Sequence, residues 1–155
     1  MAKGRERSAA RLAAVQALYQ MDMVGTQLPA ILAEFEGHWI GQQVEGEQYR
    51  KAEAVFFRDI VTGMVREQRV LDPLVDQVLA ESWPLKRVEA ILRAVLRAGA
   101  YELAHRADVP ARVVISEYVD VAAAFLDQDE TGMVNAVLDK LARQARTGEF
   151  QASGE

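Results

Sequence analysis

The chain has 155 residues, half of them hydrophobic but only 7 % aromatic, and a formal net charge of −5. That length holds one domain with a sizeable core, or two small subdomains sharing one. The absence of cysteine excludes disulfides, thiolate catalysis and cysteine–zinc sites, and the two histidines, His38 and His105, stand far apart in sequence, which argues against a histidine metal site.

Twenty-five alanines with few aromatics suit closely packed helices rather than a sheet. The first eleven residues carry Lys3, Arg5, Arg7 and Arg11 against Glu6 alone, about +3, while the rest of the chain sums to −8. This basic arm runs into the first helical stripe, Leu12, Val15, Leu18 and Tyr19, which ends near Gly25. Cations at a helix N-terminus oppose the macrodipole and cost about a few tenths of a kcal/mol each. Stability therefore does not account for them, whereas an anionic ligand such as phosphate does. Pro29 marks the start of a short second helix with Ile31, Leu32 and Phe35. Gly37, Gly41 and Gly46 then mark a loop, with Trp39, Ile40 and Val44 packing it down. A third helix is expected over Glu47 to Val70, with Ala52, Phe56, Ile60, Met64 and Val65 on one face and Gly63 as a local weakness.

Asp72-Pro73 reads as the N-cap and first position of a new helix presenting Leu74, Val75, Val78 and Leu79. Ser82-Trp83-Pro84 repeats that start signal. The longest periodic run follows, Val88, Ile91, Leu92, Val95, Leu96, Gly99 and Leu103, and Asp108-Val-Pro110 stops it. Val113 to Ile115 favours a strand on propensity, but Val114, Tyr118, Val121, Ala122 and Phe125 continue at helical spacing, so the segment is assigned to a helix. Thr131 reads as the N-cap of the last helix, whose core face is Val134, Val137, Leu138 and Leu141. Gly148 is expected to end it and leave a frayed tail. The result is an all-α chain of about seven helices in two packed bundles, 1–70 with the basic arm and 71–148, followed by a flexible tail at 149–155.

The residues give catalysis no positive support. Ser116 has no nearby histidine and no strand–turn–helix elbow. Asp127, Asp129 and Glu130 read as solvated loop charge, His105 as a C-terminal dipole partner, and the glycines form no phosphate-loop pattern. No catalytic residue, metal ligand or cofactor is expected. With neither an apolar leader nor 18 successive apolar residues, the chain reads as a soluble cytoplasmic protein without a membrane contact. An acidic protein with one basic edge suggests a short single-stranded target gripped locally, with aromatic stacking surfaces beside the cations. Tyr19, Phe56 and Phe57 are available, although Tyr19 and Phe56 fit core positions, and Arg58 follows Phe57 as a second cation.

Five blocks carry a resemblance to a known family: Arg11-Leu-Ala-Ala-Val-Gln-Ala-Leu-Tyr-Gln20, Phe57-Arg-Asp-Ile-Val61, Ile91-Leu-Arg-Ala-Val-Leu-Arg-Ala-Gly-Ala-Tyr-Glu-Leu103, Val109-Pro-Ala-Arg-Val-Val-Ile-Ser-Glu117 and Met133-Val-Asn-Ala-Val-Leu-Asp139. In this order, across nearly the whole chain, they resemble the NusB transcription antitermination family. The resemblance implies an all-helical fold of two bundles and a non-enzymatic role: binding single-stranded boxA RNA together with the ribosomal protein NusE, within the antitermination complex of RNA polymerase on ribosomal RNA operons. It implies an RNA surface at Arg7 and Arg11, with Lys3 and Arg5 as extensions and Phe57, Arg58 and Asn135 near it, and a NusE contact mainly on the C-terminal bundle. Three positions depart from the family pattern: Ser116 for asparagine, Met133 for phenylalanine and Ala136 for glycine. They bear on RNA affinity more than on the fold. Two other readings stay open, a protein-binding helical module that forms a homodimer or larger homo-oligomer without RNA, and an accessory domain of a ribosomal RNA methyltransferase.

Overall fold

The computed structural model describes residues 2–40, 47–79 and 88–153, with side chains for 7–37, 53–79 and 88–150. Among these residues the fold is all-α, with seven helices and no strand: α1 Ala2–Val24, α2 Leu28–Ile40, α3 Glu47–Val78, α4 Ala90–His105, α5 Ala111–Phe125, α6 Gln128–Ala145 and α7 Thr147–Ser153. The predicted all-helical class stands, but several boundaries differ, and each difference has a physical cause. Ala80 to Arg87, including the Ser82-Trp83-Pro84 signal, and the loop glycines Gly41 and Gly46 lie outside the described residues.

The basic arm is not a tail preceding α1 but its first turns, since the helix starts at Ala2. It ends at Gly25, whose φ of +84° is the left-handed conformation that terminates helices. The buried stripe of α1 is Ala10, Ala14, Val15, Ala17 and Leu18, whereas Leu12 and Tyr19, expected in the core, are more than a third exposed. Small alanines here let α1 lie close to α3 and α4.

Helix α3 runs straight through the predicted seam near residue 71. Asp72-Pro73 does not start a new helix. Proline in a helix interior lacks an N–H and crowds the preceding turn, a cost of about 3 kcal/mol. Burial of Leu71 and Val75 on either side offsets it, and Asp72 is taken up by Arg97 of α4 in two hydrogen bonds of 3.0 and 2.8 Å. On the same helix Val65, expected inside, is 37 % exposed.

Helix α4 is the central element, packed against α1, α3, α5 and α6, and its residues from Ala98 to Leu103 are all buried. Two glycines allow this. A Cβ on Gly99 would lie 2.9 Å from the Leu138 side chain, and one on Gly63 only 2.2 Å from Cζ of Tyr101. The apparent weakness at Gly63 is therefore the space into which Tyr101 fits. One continuous core joins residues on both sides of position 71.

The C-terminal end of α4 is closed from far along the chain. The Arg146 guanidinium donates to the carbonyls of Glu102, Leu103, Arg106 and Val109 at 2.8 to 3.2 Å, adding to the backbone bonds that Glu102 and Arg106 already accept there. The Val113 to Ile115 run is helical, as its spacing implied, with Val114, Tyr118, Val121 and Ala122 buried. Helix α6 starts three residues before Thr131. Asp127 is its N-cap, accepting from the Glu130 N–H at 2.8 Å in a capping box, and Thr131 donates back to the Asp127 carbonyl. The acidic loop thus serves a helix start, where negative charge is favoured. Gly148 does not end the structure. Glu149 in α7 accepts from the Ala111 N–H at 2.9 Å, and Phe150 packs on the core beneath Arg143.

Gly63→Ala is expected to destabilise the protein by roughly 1–3 kcal/mol, because the added methyl forces the Tyr101 ring off its seat. Chemical denaturation should show a lower midpoint, and an unchanged midpoint would mean that α3 and α4 separate freely.

Candidate nucleic-acid interface

Arg11 sits at the centre of a polar network that the helix spacing itself dictates. It shares a face with Ala14, Val15 and Leu18 at i+3, i+4 and i+7, so its side chain enters the core and is only 2 % exposed. There its Nε and Nη2 engage the Glu102 carboxylate at 2.9 and 2.6 Å. Glu102 is fully buried and also accepts from the Tyr118 hydroxyl at 2.8 Å. The remaining Arg11 nitrogen, Nη1, reaches Glu117 at 2.8 Å, which accepts from Ser8 as well. Helices α1, α4 and α5 are joined at one point. Burial, the largest single influence, would lower the Arg11 pKa, but the hydrogen bond to Glu102 and the neighbouring negative charges together outweigh it and raise the pKa. Burial, with the Glu102 charge, holds the Tyr118 hydroxyl well above its ordinary value, so it stays a neutral donor.

This placement corrects the expectation that Arg11 lies on a ligand surface. Arg7, one helical turn earlier on the same face, emerges at the rim with a quarter of its side chain exposed. Phe56 of α3 forms the floor: Cζ of Arg7, Arg11 and Arg106 lie 4.7, 5.0 and 4.8 Å from its ring centroid. Such contacts favour a cation over the ring face. Arg106, just beyond α4, pairs with Asp59 at 2.9 Å and with Asp108 through two bonds of 2.9 Å. Asp108 also lies 3.6 Å from Arg7. Hydrogen bonds from Arg106 hold the Asp108 carboxyl down from 3.8 to about 2. Asp59 in turn accepts from the Tyr101 hydroxyl at 2.9 Å, so the close approach at Gly63 reaches this rim.

The other expected residues separate. Phe57 is fully buried, stacked on Phe35 at 5.3 Å, and offers no open ring for stacking. One residue along, about 100° further round α3, Arg58 is 55 % exposed and pairs with Glu36 of α2. Asn135 is exposed on α6. Lys3 and Arg5 lie in the first turns of α1, and their side chains are outside the described residues. The residues missed from sequence are Glu102, Glu117, Tyr118, Arg106 and Asp108, whereas Asp59 belongs to the Phe57-Arg58-Asp59 block that the resemblance placed near the surface. One signal was available, since Arg11 and Glu102 each carry a charge on an otherwise apolar helical face, with opposite signs.

Among the described residues no cluster of His, Asp and Glu could hold a metal ion, and no helix is long and apolar enough to cross a membrane. NusB of T. maritima superposes with a TM-score of 0.76 at 28 % identity, covering 94 % of this chain and 96 % of that one. At 24 % identity the fold is also shared, with a TM-score of 0.72 over 90 % of this chain and 98 % of the other, by the NusB of a crystal structure of antitermination factors NusB and NusE in complex with double-stranded RNA. The NusB family model matches residues 8–143. Transcription antitermination protein NusB of Bradyrhizobium diazoefficiens is 68 % identical over 148 residues, 96 % of this chain and 90 % of that protein, and that of Nitrobacter winogradskyi is 66 % identical over 148 residues, 96 % of this chain and 92 % of that protein. The chain belongs to the NusB family of transcription antitermination factors, a family of regulatory proteins and not of enzymes.

Arg11→Ala is expected to lower stability by roughly 3–5 kcal/mol, because it leaves Glu102 charged and unpaired in the core. Arg11→Met combined with Glu102→Leu should recover part of that loss. The check is a set of thermal melts on both single variants and the double, and a melting temperature unmoved by Arg11→Ala would refute the structural role.

Proposed function

We propose that this chain binds the boxA segment of nascent RNA together with the ribosomal protein NusE, and so helps RNA polymerase read through terminators in ribosomal RNA operons. The observation that carries the reading is the basic start of α1, where Arg7 reaches the rim over Phe56 and Lys3 stands one turn before it along the helix. A family relationship spanning residues 8–143 supports the assignment, as does the related fold described in complex with NusE and RNA. The protein acts in the cytoplasm by positioning, without cofactor or metal. Phosphates engage the guanidiniums in charge-assisted hydrogen bonds, and base identity is read by neighbouring groups such as Asn135. Arg58 extends the cationic surface on α3. Arg11 acts indirectly, by fixing the helix that carries Arg7. The body outside the arm sums to −8, so RNA is gripped locally and a protein partner completes the surface.

A second reading, docking of a protein or a second copy without RNA, is favoured by one observation. Leu12, Ala13 and Phe35, rimmed by Gln16, Glu34 and Glu53, line a groove between α1, α2 and α3 with a volume of about 530 Å³.

Binding of boxA-like RNA, titrated with and without NusE across a salt series, tests the main reading. Contact with three or four phosphates gives log affinity a slope of roughly −2 to −3 against log salt. Arg7→Ala should weaken binding and leave the melting temperature nearly unchanged. Binding that ignores salt would sink the proposal, and light scattering that shows a dimer unaffected by RNA would favour the second reading.

A further inference from the structure

Resting on the RNA reading, we infer that Arg106 joins Arg7 in a phosphodiester-binding fork over Phe56, and that Asp108 occupies this fork as an internal stand-in for phosphate when no RNA is bound. The geometry is that of an anion site already filled. Arg106 presents Nε and Nη2 to the two oxygens of Asp108 at 2.9 Å each, the fork-to-fork arrangement that guanidinium makes with either carboxylate or phosphate. Arg7 approaches the same carboxylate oxygen from the other side at 3.6 Å. Both guanidiniums rest against the Phe56 ring, which fixes their positions independently of Asp108.

The two carboxylates that hold Arg106 differ in kind. Asp59 takes Nη1 at 2.9 Å and is itself held by Tyr101, so that edge is anchored to the body of α3. Asp108 lies in the short connection between α4 and α5 with 52 % of its side chain exposed. Solvent reaches Asp108 and can take over its hydrogen bonds, so this one is the replaceable contact. A phosphodiester has two non-bridging oxygens that can take the same two donors while Asp108 turns out to solvent.

Charge makes the stand-in consequential. Arg7 and Arg106 at the rim are balanced by Asp59 and Asp108, and Arg11 beneath them is outweighed by Glu102 and Glu117. With Asp108 in place the rim has no net positive charge and draws in RNA poorly. Displacing Asp108 leaves one positive charge to meet one phosphate. The occupied site lowers the affinity of every strand by the same factor and leaves their ratio unchanged, so strands without further contacts fall below the concentration at which they bind.

The test is fluorescence anisotropy of the full chain with a dye-labelled single-stranded oligouridine and with boxA-like RNA, at several salt concentrations. Asp108→Asn should tighten binding of both by about two- to fivefold. Asp108→Glu, which keeps the charge, should stay near the parent chain. Arg106→Gln should weaken binding and abolish the gain in the double variant with Asp108→Asn. Asp108→Ser serves as a second neutral variant, and thermal melts establish that the variants fold. If Asp108→Asn and Asp108→Ser bind no tighter, or if the gain survives Arg106→Gln, the inference is overturned. If the parent chain and Arg7→Ala bind RNA identically, the RNA reading itself fails, whereas weakening by Arg7→Ala without a gain from Asp108→Asn removes the stand-in alone.

Discussion

The buried pairing of Arg11 with Glu102 constrains everything else in this structure. Each charge would be costly in the core without the other. Sliding α1 by one turn, about 5.4 Å, would set Val15 opposite Glu102 in one direction and pull Arg7 down from the rim in the other. The pair therefore fixes the register of α1 on α4 and α5, although a well-packed apolar substitute could match its contribution to stability. It also fixes the surface. Arg7 rides on the same helix face, so the depth at which Arg11 is seated sets where Arg7 meets Phe56.

Close packing along α4 extends this control. Gly63 and Gly99 remove side chains where α3 and α6 approach α4, and Tyr101 uses the first of these gaps to reach Asp59. Asp59 then orients Arg106. A chain of contacts thus runs from a helix–helix contact in the interior to a guanidinium at the rim. Each link is short and directional, so the polar rim inherits the rigidity of the core beneath it.

Most of the fold was legible because burial and helical spacing coincide along the chain. Even Val113 to Ile115, with strong strand propensity, was assigned correctly once Tyr118 and Val121 continued the pattern. The errors fall where a local signal was outvoted by tertiary contact. Asp72-Pro73 has the form of a helix start, but Leu71 and Val75 are both buried and Arg97 claims Asp72. Thr131 is a fair cap, yet Asp127 with Glu130 makes a reciprocal one four residues earlier. For the site, an excess of arginine near the N-terminus was visible, but its division into one inward and one rim residue was not. That division depends on Glu102, 91 positions away, which no local pattern near Arg11 discloses. Phe57 was drawn to the surface by its neighbour Arg58, whereas successive helical residues point in different directions.

The capping of α4 by Arg146 has a consequence for how the chain is made. During synthesis from the N-terminus, α4 emerges before the cation that braces its final carbonyls, which lies 40 residues beyond Arg106. Central though it is, α4 cannot take its finished form on the ribosome until α5 and α6 have been added. Nascent chains caught before residue 146 should hold a collapsed, loosely ordered α1–α4 assembly, a ready client for chaperones, and the last step of folding is the docking of the segment made last.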